Sequence, residues 1–126
     1  MDGFVDTSVV IDIYRGYTPA VTWLRVNRAL ALAITPTVWM EAVEGVQDNA
    51  HQRKIMRLLV QFPILYPTRI DIDWAMAQLQ SLRLSHGVGM NDCLIAASAH
   101  RLQLPLFTRN LKHMAHLLGA LAQKPY

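Results

Sequence analysis

The chain has 126 residues, of which 52% are hydrophobic and 17% are charged, so it has the size of a single domain and is too apolar for a disordered segment. Its longest apolar run, Ala29–Ile34, is far shorter than the roughly 20 residues of a membrane helix. The single cysteine, Cys93, excludes an intramolecular disulfide, and the early acids Asp2 and Asp6 are unlike a signal peptide. We therefore expect one domain over residues 1–126, soluble, without a membrane segment, in the reducing cytoplasm.

The charge balance of the chain is mildly basic. Lys and Arg total 12 and Asp and Glu total 9, which gives a net charge of +3. Such an excess is compatible with a polyanionic partner, although it does not require one. If a pocket gathered three of the acids, the remaining surface would be more basic still.

Short apolar segments alternate with segments of helical character along the chain. We expect strands at residues 3–6, 31–34, 64–66 and 104–108. We expect helices at residues 7–15, 19–30, 35–45, 53–62, 71–84, 91–102 and 110–118. The helical period is clearest in the fourth helix, whose apolar side chains recur at i, i+3, i+4 and i+7. Strands that alternate with helices predict an α/β domain with a mainly parallel sheet.

Four polar side chains are expected at one edge of this sheet. Asp6 follows the first strand, and Glu41 lies about one turn into the helix after the second strand. Asp92 opens the buried helix, and Asn110 follows the strand that ends at Thr108. Since sites in open parallel sheets form outside the carboxyl ends of the strands, these side chains should lie close together.

Three carboxylates in one place favour a bound metal ion. They repel one another, which raises the pKa of at least one of them, and a hard divalent cation such as Mg²⁺ or Mn²⁺ removes that repulsion. Such an ion also activates water and stabilises negative charge on a phosphoryl oxygen. The acids therefore point to phosphodiester hydrolysis.

Each of these acids also has a purely structural interpretation. Asp6 and Asp92 both stand at the start of a helix, where a carboxylate caps the first turn. Glu41 taken alone is most simply a solvated helix glutamate. His113 and His116, three residues apart on the last helix, are expected to be ordinary surface histidines. Only the joint placement of the acids favours catalysis.

Several sequence blocks resemble those of a known nuclease family. The chain contains, in this order, VDTSVVIDIYRG, ITPTVWMEAVEG and NDCLIAASAHRLQLPLFTRN. These blocks resemble those of PIN-domain nucleases, especially the VapC-type toxins of bacterial toxin–antitoxin pairs. In that family a glutamate stands four residues before a glycine in the second block, an aspartate opens the buried helix, and Thr-x-Asn or Thr-x-Asp ends the next strand.

The resemblance implies a three-layer α/β/α fold with a short, mainly parallel central sheet, and a Mg²⁺- or Mn²⁺-dependent endoribonuclease. It assigns Asp6, Glu41 and Asp92 to the metal-binding acids of the family. It assigns Asn110 to a fourth catalytic position, which is often Asp in the family. All four residues are therefore expected to be catalytic.

The resemblance also implies supporting residues and partners. Ser8 and Thr108 match the supporting polar positions of the family. Arg15, Arg109 and Lys112 are candidate contacts for RNA phosphates, and the last two flank the fourth catalytic position. The family resemblance further implies a homodimer and a VapB-like antitoxin that covers the acids.

Two other functions remain open at this point. Because Asn110 brings no charge to the metal, the chain could be a PIN-like module that binds RNA or protein without cutting it. A strand followed by an aspartate such as Asp6 also opens the haloacid-dehalogenase-type phosphatases, but their Asp-x-Asp motif would need an acid at Ser8. The three intact acids favour the nuclease over both alternatives.

Overall fold

Four short strands form one fully parallel sheet. A computed structural model describes residues 1–126, and its strands are β1 (Gly3–Val5), β2 (Leu32–Ala33), β3 (Leu106–Phe107) and β4 (Ala122–Gln123). Their order across the sheet is β2-β1-β3-β4, and each neighbouring pair is parallel. The carboxyl ends of all four strands therefore meet at one edge of the sheet, where sites form in folds of this kind.

Seven α-helices accompany the sheet. They are α1 (Thr7–Tyr14), α2 (Thr18–Val26), α3 (Pro36–Glu44), α4 (Asn49–Leu59), α5 (Arg69–His86), α6 (Met90–Leu102) and α7 (Leu111–Leu118). Helix α6 is the most buried of them, as its run of small side chains predicts. This arrangement confirms the predicted α/β/α fold around a short parallel sheet. None of the helices combines the length and the apolar character that crossing a bilayer demands.

Close packing of β1 against β3 positions the carboxyl edge of the sheet. Phe4 of β1 and Leu106 of β3 are paired in register and are both buried in one hydrophobic core. Gly3 permits this approach, because a Cβ atom there would lie 3.0 Å from the Pro105 carbonyl oxygen and 3.0 Å from the Phe107 ring. The residues that follow β1 therefore lie beside those that follow β3.

Polar caps set the helix boundaries that differ from the prediction. Helix α4 begins one turn earlier than predicted, because Asp48 accepts the His51 N–H at 2.8 Å and caps a polar first turn that has no apolar period. Helix α2 ends one turn before Leu30, since the Asn27 amide donates to the Trp23 carbonyl at 2.8 Å and closes the helix there.

Two strand predictions also differ from the structure. The predicted strand 64–66 is wrong: Ile64 makes only one isolated bridge, to Ile34. The flanking Pro63 and Pro67 lack the N–H donors that a longer ladder would need. The prediction omits β4 altogether, because a two-residue edge strand is too short to show an alternating pattern.

A buried ion pair joins α5 to α6. Asp71 is 1% exposed and accepts hydrogen bonds from Arg101 Nε at 2.7 Å and from the Ser98 hydroxyl at 3.0 Å. It also accepts the Thr68 N–H at 2.9 Å in a capping box that begins α5. Burial raises the pKa of Asp71, but the hydrogen bonds from Arg101, Thr68 and Ser98 outweigh burial and hold the pKa below its ordinary value.

We expect Asp71→Asn to lower the free energy of unfolding by about 1.5 kcal/mol at pH 7, because the charged hydrogen bonds between Asp71 and the partly exposed Arg101 are lost. The folded pKa of Asp71 is lowered, so its contribution to stability is present above the ordinary aspartate pKa and is lost as the pH falls through the folded pKa. The difference between wild type and variant should therefore shrink in acid. Urea unfolding of both proteins at neutral and acidic pH measures this difference in the free energy of unfolding.

The control is Asp73→Asn, an exposed aspartate of the same helix, which should change stability by less than about 0.5 kcal/mol. An Asp71→Asn variant as stable as this control would contradict the role given to the ion pair.

Candidate active site

Asp6 is the most buried of the predicted site acids, with 4% of its surface exposed. It follows β1 directly and is the N-cap of α1, where its Oδ1 accepts the Thr7 N–H at 2.7 Å. Its Oδ2 accepts the Thr108 hydroxyl at 2.6 Å. The parallel pairing of β1 with β3 brings these two residues together across a separation of 102 positions.

Glu41 is held between two side chains from other helices. It lies in the second turn of α3, where its Oε1 accepts the Thr7 hydroxyl at 2.6 Å and its Oε2 accepts the Asn91 amide at 3.2 Å. Thr7 therefore binds Asp6 through its backbone and Glu41 through its side chain. The structure replaces the interpretation of a solvated helix glutamate with that of a carboxylate fixed beside Asp6.

Asp92 and Asn110 meet at His113. Asp92, in the first turn of α6, accepts the Gly89 N–H at 3.2 Å, and its Oδ2 lies 3.5 Å from His113 Nδ1. Asn110 is the N-cap of α7, and its Nδ2 lies 3.5 Å from the same ring nitrogen. The expectation that His113 is an ordinary surface histidine is therefore wrong, because the first turn of α7 directs its ring toward the acids.

Thr108 and Ser8 connect the turn after β3 to Asp6. Thr108 is fully buried, and its hydroxyl donates to Asp6 while it accepts the Asn110 N–H at 2.9 Å. The Ser8 hydroxyl lies 3.5 Å from Asp6 Oδ2 and accepts the Arg109 N–H at 3.1 Å. Both residues predicted to support the site thus contact the most buried acid.

The charges around Asp6 favour a bound cation. Burial raises the pKa of Asp6, and the negative charges of Asp92 and Glu41 raise it further. Hydrogen bonds from Thr108 and Thr7 oppose this rise without cancelling it. Because the ionised form is disfavoured by burial and by like charges, a positive charge at this position would stabilise it.

The donor set of the site is dominated by oxygen. It consists of the carboxylates of Asp6, Glu41 and Asp92 and the amide of Asn110, with the His113 ring beside them. No three His, Cys, Asp or Glu side chains stand close enough to hold one ion as direct ligands. The donors therefore fit an ion that keeps part of its water shell, as Mg²⁺ does, better than a structural zinc ion with four protein ligands.

An open cavity of about 550 Å³ adjoins Glu41. It lies between α3 and the start of α6, and its walls include Met40, Glu44, Met90 and Leu94. Its walls are therefore both apolar and acidic. This cavity gives a second molecule access to Glu41 from the solvent.

The three predicted phosphate contacts differ in their surroundings. Arg15 and Lys112 are exposed and form no ion pair. Arg109, in contrast, has its Nη1 2.8 Å from Asp12 Oδ2, and the Tyr126 hydroxyl donates to the same oxygen at 2.5 Å. Arg15 and Lys112 are therefore unpaired, whereas Arg109 forms an ion pair with Asp12.

Three residues of the site are missing from the sequence-based prediction: Thr7, Asn91 and His113. Thr7 and Asn91 are direct neighbours of predicted acids in the sequence, but their role depends on Glu41 lying between α1 and α6. That tertiary contact cannot be predicted from a pattern in the local sequence. For His113 a local signal exists, since it lies three residues after Asn110 and hence on the same side of the first turn of α7.

Comparison with known proteins identifies relatives of this chain. The family model of the PIN domain matches residues 3–116. Ribonuclease VapC10 of Mycobacterium tuberculosis is 34% identical over 113 residues, which are 86% of this chain and 83% of that protein.

Solved structures share this fold over more than nine tenths of the chain. A chain of a toxin–antitoxin complex from Klebsiella pneumoniae superposes with a TM-score of 0.79 at 24% identity, over 99% of this chain and 98% of that chain. A chain of VapBC2 from Rickettsia felis, bound to a DNA fragment from its promoter, has a TM-score of 0.76 at 20% identity, over 92% of both chains. The family match and the identity to VapC10 show that the chain belongs to the PIN-domain family.

Proposed function

We propose that this chain is an endoribonuclease that depends on Mg²⁺ or Mn²⁺ and acts as the toxin of a toxin–antitoxin pair. The observation that carries the proposal is the buried carboxylate of Asp6, whose pKa is raised by burial and by the nearby charges of Asp92 and Glu41. The 34% identity to Ribonuclease VapC10 supports RNA as the substrate. We place the activity in the cytoplasm, where RNA is abundant.

In this proposal Asp6 and Asp92 would hold the metal ion, with Glu41 beside them. A divalent ion bound there lowers the pKa of water and stabilises charge on a phosphoryl oxygen. Thr108 orients Asp6 through its 2.6 Å hydrogen bond, as the groups behind metal ligands commonly do. Asn110 offers a neutral amide to the water shell.

The reaction needs a base for the attacking water. Glu41 fits this role, because Thr7 and Asn91 fix both of its oxygens while each oxygen keeps a free lone pair. The water oxygen bonds to phosphorus, its proton passes to Glu41, and the bond to the 3′-oxygen breaks. The leaving oxygen takes a proton from solvent, so the products carry a 5′-phosphate and a 3′-hydroxyl.

Two exposed cations are proposed to contact the RNA backbone. Lys112 lies in the first turn of α7, two residues after Asn110, and Arg15 follows α1. Neither is engaged by an acid within the chain. Their contacts with phosphates would make RNA binding weaken as the salt concentration rises.

A VapB-like antitoxin is the proposed protein partner. One structure with a similar fold is a toxin–antitoxin complex. In this chain Met40 and Met90, which are 55% and 61% exposed, lie at the cavity beside Glu41 and offer apolar surface to such a partner. A basic side chain of the partner would find the acids within reach. A homodimer is proposed from the family resemblance.

We expect the partner-free protein to cut structured RNA when Mg²⁺ or Mn²⁺ is added and not when a chelator is present. Asp92→Asn should lower the rate by about two orders of magnitude or more, because it removes a charged metal ligand. Cleavage of a mixed RNA pool, with end-group analysis for the 5′-phosphate, measures both effects.

Asp73→Asn is the matched control, since it removes an exposed carboxylate from α5 and should cut as wild type does. Full activity in a pure Asp92→Asn protein would contradict the site. A folded wild type that binds RNA, does not cut it and does not bind metal would identify the chain as the non-catalytic module.

We expect Asp6→Asn to abolish cleavage and yet to stabilise the metal-free fold at pH 7, because burial and the nearby charges of Asp92 and Glu41 disfavour the ionised form of Asp6. The folded pKa of Asp6 is raised, so its ionised form destabilises the fold at neutral pH. That destabilisation is relieved as the pH falls through the folded pKa toward the ordinary value, and only wild type should gain stability in this way.

Thermal unfolding with and without Mn²⁺, at pH 7 and at lower pH, measures these effects. Mn²⁺ should raise the Tm of wild type, because it binds the folded state, and should leave Asp6→Asn unchanged. A variant less stable than wild type, or one that keeps the full Mn²⁺ effect, would overturn the role given to Asp6.

A further inference from the structure

The side chain of Arg109 is 46% exposed, and its guanidinium group is contacted by three other side chains. Its Nη1 lies 2.8 Å from Asp12 Oδ2, and its Cζ lies 5.5 Å and 6.0 Å from the ring centroids of Tyr17 and Tyr126. The Tyr126 hydroxyl donates to the same Asp12 oxygen at 2.5 Å. Asp12, Tyr17, Arg109 and Tyr126 are called the Arg109 clamp here.

The backbone of Arg109 is part of the turn that supports the active site. Its N–H donates to the Ser8 hydroxyl at 3.1 Å. The residue before it, Thr108, donates to Asp6 at 2.6 Å, and the residue after it, Asn110, donates its N–H to the Thr108 hydroxyl at 2.9 Å. Contacts that hold Arg109 in place therefore also restrain the neighbouring site residues Thr108 and Asn110.

β4 and the residues that follow it also support this turn. The Gln123 carbonyl accepts the Thr108 N–H at 2.9 Å. Tyr126 packs edge-on against Tyr17, with ring centroids 6.0 Å apart, and lies 6.4 Å from the Trp23 ring. The turn 108–110 is thus held between α1 on one side and residues 123–126 on the other.

A free phosphate contact would need a different arrangement. The charge of Arg109 is already compensated by Asp12, and its planar faces lie next to two aromatic rings. A phosphate that bound Nη1 would have to displace Asp12, whose side chain is only 15% exposed and which would lose its ion-pair partner.

We infer that Arg109 is a positioning residue, not a contact for RNA phosphates, and that the Arg109 clamp holds Thr108 and Asn110 in register with Asp6. The inference rests on the proposed nuclease function. Tyr126, far from Asp6 in the sequence, belongs to the same clamp. The clamp acts on the rate of cleavage through the turn 108–110 and leaves RNA affinity unchanged.

Steady-state cleavage kinetics test this inference first. Arg109→Met should lower kcat on the order of 10- to 100-fold with little change in KM, because the turn loses its fixed geometry. Arg109→Lys should fail to restore kcat, since an ammonium group cannot reproduce the planar fork, whereas a phosphate contact would tolerate the lysine. Tyr126→Phe, which removes one hydroxyl and no charge, should lower kcat by a smaller factor.

The matched controls are Arg28→Met and Tyr66→Phe, which alter an exposed arginine and an exposed tyrosine outside the clamp. Both should retain the kinetics of wild type. Recovery of kcat by Arg109→Lys, or a loss confined to KM, would overturn the inference.

The salt dependence of RNA binding separates the two roles of Arg109. It is measured in the Asp92→Asn background, where the RNA stays intact. The slope of log Kd against log salt should be the same with and without Arg109→Met. A phosphate contact would instead reduce the slope by about 0.7, the value for one neutralised phosphate of single-stranded RNA.

Hydrogen exchange tests the clamp even if the chain cuts no RNA. Tyr126→Phe should raise the exchange rate of the Arg109 and Asn110 amides about tenfold, because Arg109 belongs to the clamp and Asn110 follows it in the same turn. Exchange equal to that of Tyr66→Phe would overturn the inference. If the wild-type protein does not cleave RNA but the exchange rates change as expected, the nuclease proposal is refuted and the inference about the Arg109 clamp stands.

Discussion

The main constraint on the structure is the ionisable carboxylate of Asp6, which is buried at the carboxyl end of β1. Asp6 is 4% exposed, and its carboxylate accepts short hydrogen bonds from Thr7 and Thr108 and a longer one from Ser8. Those donors exist at the right place because β1 and β3 lie side by side, which in turn needs Gly3 at their closest approach. The chemistry of the site therefore depends directly on how the strands pair and how the sheet packs.

The chain separates its positive charges from the acids of the site. Arg101 is paired with Asp71, and Arg109 is paired with Asp12, so neither neutralises Asp6 or Glu41. The site acids are instead held by neutral hydroxyl and amide donors, and only the ring of a histidine approaches Asp92. The consequence is a pocket that stays negative in the folded protein and can accept a cation from outside.

The sequence predicts those features of the structure that depend on residues close together in the chain, and it misses those that depend on contacts between distant residues. The positions of Asp6, Asp92 and Asn110 at the ends of strands or starts of helices are local features, and the topology of a parallel sheet brings them to one edge. The roles of Thr7 and Asn91 depend on where Glu41 lies between α1 and α6, which is a tertiary fact. The engagement of Arg109 by Asp12 and Tyr126 joins residues about a hundred positions apart, and β4 is too short to show a pattern.

The order in which the chain leaves the ribosome matters for a sheet of this topology. β1 is the first strand made, yet it pairs with β3, and Asp6 binds Thr108 across 102 positions. Contacts of such long sequence separation form late, because the intervening chain must be closed first. A nascent chain that ends before residue 106 contains Asp6, Glu41 and Asp92 but lacks the strand that brings β1 to its final geometry. The geometry around Asp6 is therefore completed only after β3 has been synthesised and has paired with β1.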